Sequence, residues 1–166
     1  RPSNVVTASA TVALEHFTAI LAHASYNADC TGGCSFDAGT KTLHWTILSI
    51  AANGGTATLT FSVTLSSSFP NGTTSLPNVV VVHGPGSNCE ASSEDPDCDV
   101  TTTVEAHPDL DAEKEVAVNG GAYGHGGAAQ PGDTLHYRIT ITNTGDAPAT
   151  SVPVSDNIAA LLAHGT

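Results

Sequence analysis

From Leu135 to Thr142 the chain alternates without a break: Leu135, Tyr137, Ile139 and Ile141 are apolar, and His136, Arg138, Thr140 and Thr142 between them are polar. A period of two fits an extended chain with one face on a core and the other toward water. The four apolar residues are therefore expected to face a core. The same rhythm recurs upstream. Thr42-Leu43-His44-Trp45-Thr46-Ile47 alternates, and beyond the Gly54-Gly55 turn residues 56–65 run on as one long strand of period two. Pro70-Asn71-Gly72 signals a turn, and Asn78-Val79-Val80-Val81-Val82 reads as a buried strand. Val100-Thr101-Thr102-Thr103-Val104 and Glu113-Lys114-Glu115-Val116-Ala117-Val118 are further strands, the latter followed by a Gly-rich loop over 119–127 and a Pro131-Gly132-Asp133 turn. The fold class is all-β.

Two segments break the rhythm. Residues 14–23 carry helical spacing through Leu14, Phe17 and Leu21, and residues 156–165 open on an N-cap Asp156 and close on Gly165. A short helical turn is expected at each. They also resemble one another, since Ala19-Ile20-Leu21-Ala22-His23 is echoed by Ala160-Leu161-Leu162-Ala163-His164. Between the blocks, Glu105-Ala106-His107-Pro108-Asp109 reads as a connection in which Pro108 discourages a continuing ladder. The expected organisation is a block over 1–105, a linker over 106–112 and a second block over 113–166.

Charge narrows the range of partners. Sixteen Asp and Glu against four Lys and Arg leave a net charge of −12. Nucleic acid, which needs a cationic face, is excluded as a partner, and anionic membrane surfaces are disfavoured. No apolar run approaches the roughly 20 residues that cross a bilayer, so no direct membrane insertion is expected. The chain has no Met, which suggests a mature or excised segment whose export signal or anchor lies elsewhere. Its four cysteines form two close pairs without a Cys-x-x-Cys knuckle. Local disulfides Cys30–Cys34 and Cys89–Cys98 are expected, and with them an extracellular or cell-surface location.

The string Pro131-Gly132-Asp133-Thr134, the alternating strand, Thr142-Asn143-Thr144-Gly145, then Ala149-Thr150 and the Val-rich 152–154 resembles a prokaryotic surface-repeat family, the conserved repeat domain known as domain of unknown function eleven. The earlier part resembles the rest of the same repeat: Tyr26 to Trp45 its middle, Asn78 to Val82 its late strand, and Cys89 with Asp95-Pro96-Asp97-Cys98 its terminal loop. The chain thus reads as the later strands of one repeat (1–105) followed by the opening strands of the next (113–166). The helical segments depart from the family, where a Leu-Pro-x-Gly turn is usual. The resemblance implies immunoglobulin-like antiparallel β-sandwiches, with one or two short helical turns here, arranged in tandem on cell surfaces and in fibres. A sandwich lacking its first strands exposes unpaired edges and half a core. Its completion is therefore expected from the neighbouring repeat or subunit, with a longer covalent array favoured over strand exchange between separate chains.

Chemistry-bearing candidates are few. Between Glu90 and Glu115 acids crowd together, with Lys114 the only base. Asp-x-Asp spacing in loops offers hard oxygen ligands to Ca2+; Glu94, Asp95, Asp97, Asp99, Asp109 and Asp111 are the candidates, and a solvated acidic face is the plainer reading. The eight His residues are scattered, with His44 and His136 on outward strand faces. No Gly-x-Ser-x-Gly elbow occurs, and the Gly-rich loop lacks the Lys-Ser/Thr of a phosphate loop, so no enzyme is expected. Asn71-Gly72-Thr73 is a glycosylation sequon. In related surface sandwiches and pilins a first-strand Lys can form an isopeptide bond to a late-strand Asn, promoted by a buried carboxylate; Lys114 and Asn78 would fill those roles between successive repeats, while an exposed Lys among acids is the alternative. The expected function is a structural repeat module of an extracellular fibre, stalk or surface layer, built from copies of itself in a linear assembly. The alternative is an adhesin recognising a glycan or protein.

Overall fold

The computed structural model describes residues 7–15 and 17–165; residues 1–6, 16 and 166, and with them His16 of the first expected helical stretch, lie outside the described residues. The chain is all-β and divides into two compact units, Arg1–Glu105 and Ala106–Thr166.

In the first unit, strands β1 (Thr7–Glu15), β3 (Ser35–Asp37), β4 (Thr42–Ala51), β6 (Gly72–His83) and β7 (Asp99–Ala106) form a sheet of order β3-β4-β1-β6-β7. A second, two-stranded sheet pairs β2 (Ala24–Tyr26) with β5 (Val63–Leu65). The short helix α1 (Phe17–Leu21) leads from β1 to β2. An aromatic cluster ties these pieces together. Phe17 is 1% exposed and meets Tyr26, Phe36 and Phe61 edge-on, at centroid distances of 6.2, 6.3 and 5.6 Å. Such pairs add to burial because a ring's positive edge faces its neighbour's negative face. Trp45, alternating with exposed His44 as its period requires, is buried and donates its indole N–H to the Thr31 carbonyl at 2.7 Å. Val12, Leu14, Ile20, Leu43, Leu76 and Val81 extend the core.

Sequence expectation and structure differ at several elements. Leu14 belongs to β1, not to a helix: Val12 and Leu14 are both buried while Ala13 is less so, a period of two that the helical spacing from Leu14 to Phe17 masked. Of the expected strand over 56–65, only Val63–Leu65 enters a ladder. Upstream, side chains capture the backbone instead: Asp29 accepts from the Ser62 N–H and Thr31 Oγ1 from the Thr60 N–H, so these N–H groups are taken up outside a ladder.

The second unit is built on a hairpin of β8 (Leu110–Val118) and β9 (Leu135–Asn143), paired in register from Leu110↔Asn143 to Val118↔Leu135. β8 begins inside the stretch expected as a linker. The Thr142-Asn143-Thr144-Gly145 turn fastens its open end. Asn143 Oδ1 accepts from the Asp109 and Gly145 N–H groups, and its Nδ2 donates to the Ala147 carbonyl. Gly145 lies so close to the backbone of residues 107–109 that a Cβ would collide with it. At the other end Asn119 accepts from Thr134 N–H and bonds Asp133, closing the Pro-Gly-Asp-Thr turn. The second helix, α2 (Ala159–Leu162), has Ile158 at its N-cap rather than Asp156. Asp156 is engaged elsewhere.

Candidate functional site

Antiparallel pairing puts facing residues on the same side of the hairpin. One face therefore carries Asp111, Glu113 and Glu115 on β8 against Arg138 and Thr140 on β9. Arg138 donates twice to Glu115 Oε2, at 2.9 and 2.7 Å, and stacks over Tyr123. The other face joins Ala112, Val116 and Val118 to Ile141, Tyr137 and Leu135, with Ile139 between. These are the residues whose alternation predicted a core. They share a face, yet Leu135, Tyr137, Ile139 and Ile141 are about two-fifths exposed. Val152, Val154, Ile158, Leu161 and Leu162 are exposed as well, whereas the buried apolar residues among those described in this unit are three alanines, Ala106, Ala117 and Ala147.

The contrast with the echoed segment is sharp. Phe17 and Ile20 are buried under the sheets of the first unit; their counterparts Ile158 and Leu161 are 43% and 39% exposed. Similar sequences thus have a core in one unit and lack one in the other.

Lys114 lies in the middle of the apolar face, opposite Ile139. Its ammonium bonds both oxygens of Asp156, at 2.8 and 2.7 Å, and stands 5.0 Å from the Tyr137 ring centroid. Sequence reasoning missed Asp156 as this partner by assigning it to a helix cap. The available signal was phase: Lys114 falls two residues before Val116 and four before Val118, on the inward side of an amphipathic strand.

The first unit carries a complementary defect. Between β5, β6 and β7 runs a groove of about 280 Å³, lined by Ile20, Phe61, Val63, Leu65, Leu76 and Val100. Asn78 also lines it, and its Oδ1 is buried without a hydrogen-bond partner among the described residues. A buried acceptor left unpaired costs on the order of 1–3 kcal/mol. Among the described residues β5 is bonded to β2 along one edge and to no other strand, and β9 likewise pairs only with β8. The outer edge of β8 is partly covered, because Val116 exchanges hydrogen bonds with Gly124.

The remaining candidates are placed as follows. Cys30–Cys34 and Cys89–Cys98 are both disulfide-bonded, with Cα–Cα distances of 6.2 and 5.4 Å. Asp95 caps the 3₁₀ turn Pro96–Cys98 by accepting from the Asp97 N–H, and also bonds Asn88. Glu94, Asp97 and Asp99 are exposed around it; Asp109 and Asp111 belong to the second unit. Among the described residues no three His, Cys, Asp or Glu side chains group as a metal site. Ca2+ held largely by main-chain carbonyls would not require such a group. Asn71 is exposed immediately before β6.

Four carboxyl groups are held below the ordinary value of 3.8: Asp29 by the Ser62 hydroxyl and N–H, Asp37 by the Thr40 and Gly39 amides, Asp95 by the Asp97 amide and Asn88, and Asp133 by the Gln130 amide and Asn119. Each is an acceptor fastening a turn or loop. His23 stacks on Phe69 at 5.3 Å, and His125 lies 3.2 Å from Glu113. No described helix is long and apolar enough to cross a membrane. Comparison with protein-family models, curated proteins and solved structures finds no match.

Proposed function

We propose that this chain is a structural module of an extracellular fibre, stalk or surface layer, assembled from copies of itself in a line. The hairpin of one copy completes the first unit of the next. β9 adds to the free edge of β5, giving a sheet of order β8-β9-β5-β2 opposite β3-β4-β1-β6-β7, which is an immunoglobulin-like sandwich. The hairpin's apolar face then fills the groove over β6 and β7.

The observation that carries this reading is the exposed apolar face of a unit whose described buried residues are only alanines. Leu135, Tyr137, Ile139 and Ile141 share that face, and Val152, Val154, Ile158, Leu161 and Leu162 leave further apolar surface open along the same unit; from their fractional exposures the nine together present on the order of 700 Å². Exposed apolar surface on that scale is more than a monomeric unit commonly leaves open and points to an interaction site. The occupant is taken to be a second copy because the groove beside Ile20 is walled largely by apolar side chains, as the hairpin face is, and because β5 and β9 each offer a free strand edge among the described residues. The two disulfides support an oxidising, extracellular setting. The resemblance to the surface-repeat family agrees with a tandem, load-bearing role.

Negative-stain microscopy and sedimentation of the purified chain test it. Concentration-dependent, linear oligomers are expected. A chain that stays monomeric up to millimolar concentration while binding glycans would refute assembly and favour the adhesin.

A further inference from the structure

An asparagine followed by glycine can react with its own backbone, because a glycine has no Cβ to hinder its nitrogen from reaching the asparagine Cγ. The chain holds three such pairs, Asn53-Gly54, Asn71-Gly72 and Asn119-Gly120. All three asparagines are exposed, so access to water does not separate them. What separates them is how firmly the reacting atoms are held. Gly72 is the first residue of β6, so the nitrogen beside Asn71 is committed to a strand. Asn53-Gly54 and Asn119-Gly120 are closely matched in backbone, with φ of 60° and 92° in the first and 54° and 74° in the second. Their surroundings differ. Asn119 Oδ1 accepts from the Thr134 N–H at 2.9 Å, its Nδ2 donates to Asp133 at 2.7 Å, and its N–H donates to the Thr134 carbonyl at 2.8 Å. Asn53 and Gly54 follow the end of β4, and among the described residues no hydrogen bond restrains the Asn53 side chain or the Gly54 N–H.

We infer that Asn53 is a site of spontaneous modification, converted to aspartate and its β-linked isomer while Asn71 and Asn119 are protected by the fold. The Gly54 nitrogen gives up its proton to solvent and attacks Asn53 Cγ, forming a C–N bond. The Cγ–Nδ2 bond breaks, and Nδ2 takes a proton and leaves as ammonia, closing a succinimide ring. Water then opens the ring. Attack at Cγ restores the ordinary backbone with an aspartate side chain; attack at the Asn53 backbone carbonyl carbon leaves the chain running through Cβ and Cγ. The balance is a carboxamide plus water giving a carboxylate plus an ammonium ion, with no oxidant, reductant or cofactor. The β-linked form inserts one extra carbon into the backbone of a tight turn. A Cβ on Gly55 would lie 2.2 Å from the Ala51 carbonyl oxygen, so the turn can take that carbon only by loosening the end of β4. The reaction is internal to the first unit and independent of assembly.

The test is ageing of the purified full chain in mildly alkaline buffer, with anion exchange to separate the product by its added negative charge. Peptide mapping with electron-transfer fragmentation then assigns the residue and the linkage. In the folded chain Asn53 should convert at least about 10-fold faster than Asn119, whose hydrogen bonds must open before it reacts. In the reduced, denatured chain the two rates should converge. Asn53→Gln needs a larger, slower-closing ring and should remove the acidic species from the exchange profile. Equal rates at Asn53 and Asn119 in the folded chain, or faster conversion at Asn71, would overturn the inference. So would an Asn53 that stays intact when folded and converts only when denatured, or an acidic species that persists in Asn53→Gln.

Discussion

Replacing Ile139 with threonine tests the assembly face while sparing the hairpin that carries it. Both residues are β-branched and favour a strand, so the register with β8 should hold. Ile139 is 42% exposed, which for an isoleucine leaves roughly 75 Å² open; burying that much apolar surface is worth about 2 kcal/mol. Threonine retains one methyl group and adds a hydroxyl that loses water on docking, so the expected loss is about 1–2 kcal/mol per junction. That corresponds to association weakened by roughly 5- to 30-fold. Thr140→Ser, on the opposite face across from Glu113, is the matched control and should change association by less than about twofold. Light scattering across a dilution series reads the critical concentration of each chain, and circular dichroism checks that the hairpin survives. Equal critical concentrations for Ile139→Thr and the unsubstituted chain would refute the face as an interface.

Other outcomes follow from the same structure. Phe17→Ala should destabilise the first unit by about 3–5 kcal/mol, the usual cost of emptying a buried aromatic site; calorimetry showing an unchanged melt would contradict the cluster around Phe17. Asp29, Asp37, Asp95 and Asp133 hold lowered native pKa values, so their contribution is complete above the unfolded value and lost as pH falls through the native one. The melting temperature should therefore be steady with respect to these groups between about pH 5 and 7 and decline below about pH 4, and a flat acid limb would refute that account. For the Ca2+ expected along the acidic run, adding the ion should raise the melting temperature by mass action and excess chelator should reverse it. No shift in either direction, with no metal by elemental analysis, would remove the ion from consideration.

Sequence and structure agree most closely where one residue period dominates. The start of the strand at Thr42 and the phase of Leu135, Tyr137, Ile139 and Ile141 were legible to the residue, although the strand runs past Ile47 to Ala51. What covers that face was not, because alternation reports which side chains are alike and says nothing of the surface they meet. The strand at 56–65 was overread for a different reason: its alternation is real, but the ladder loses to Asp29 and Thr31, 33 and 29 residues from the N–H groups they accept from. β6 was underread, since it begins at Gly72 and runs through Pro77, a residue that argues against a strand. The disulfides needed only cysteine spacing. The Lys114–Asp156 pair needed the fold, because 42 residues separate its members.

The exposed hairpin face and the open groove are different surfaces of one chain, and that difference sets the symmetry of whatever they build. A patch that binds its own image closes into a two-fold dimer and stops, whereas a plug and a socket on the same molecule add head to tail, as an open line unless the rotation per copy closes a ring. In the proposed open line growth has a direction: one terminus displays an empty socket and the other an unsheltered plug. Two-stranded hairpins are marginal in water by themselves, so the plug end gains order only when a newcomer receives it. Under the proposed assembly, elongation and the last step of folding are the same event, and the line has a chemically distinct head and tail.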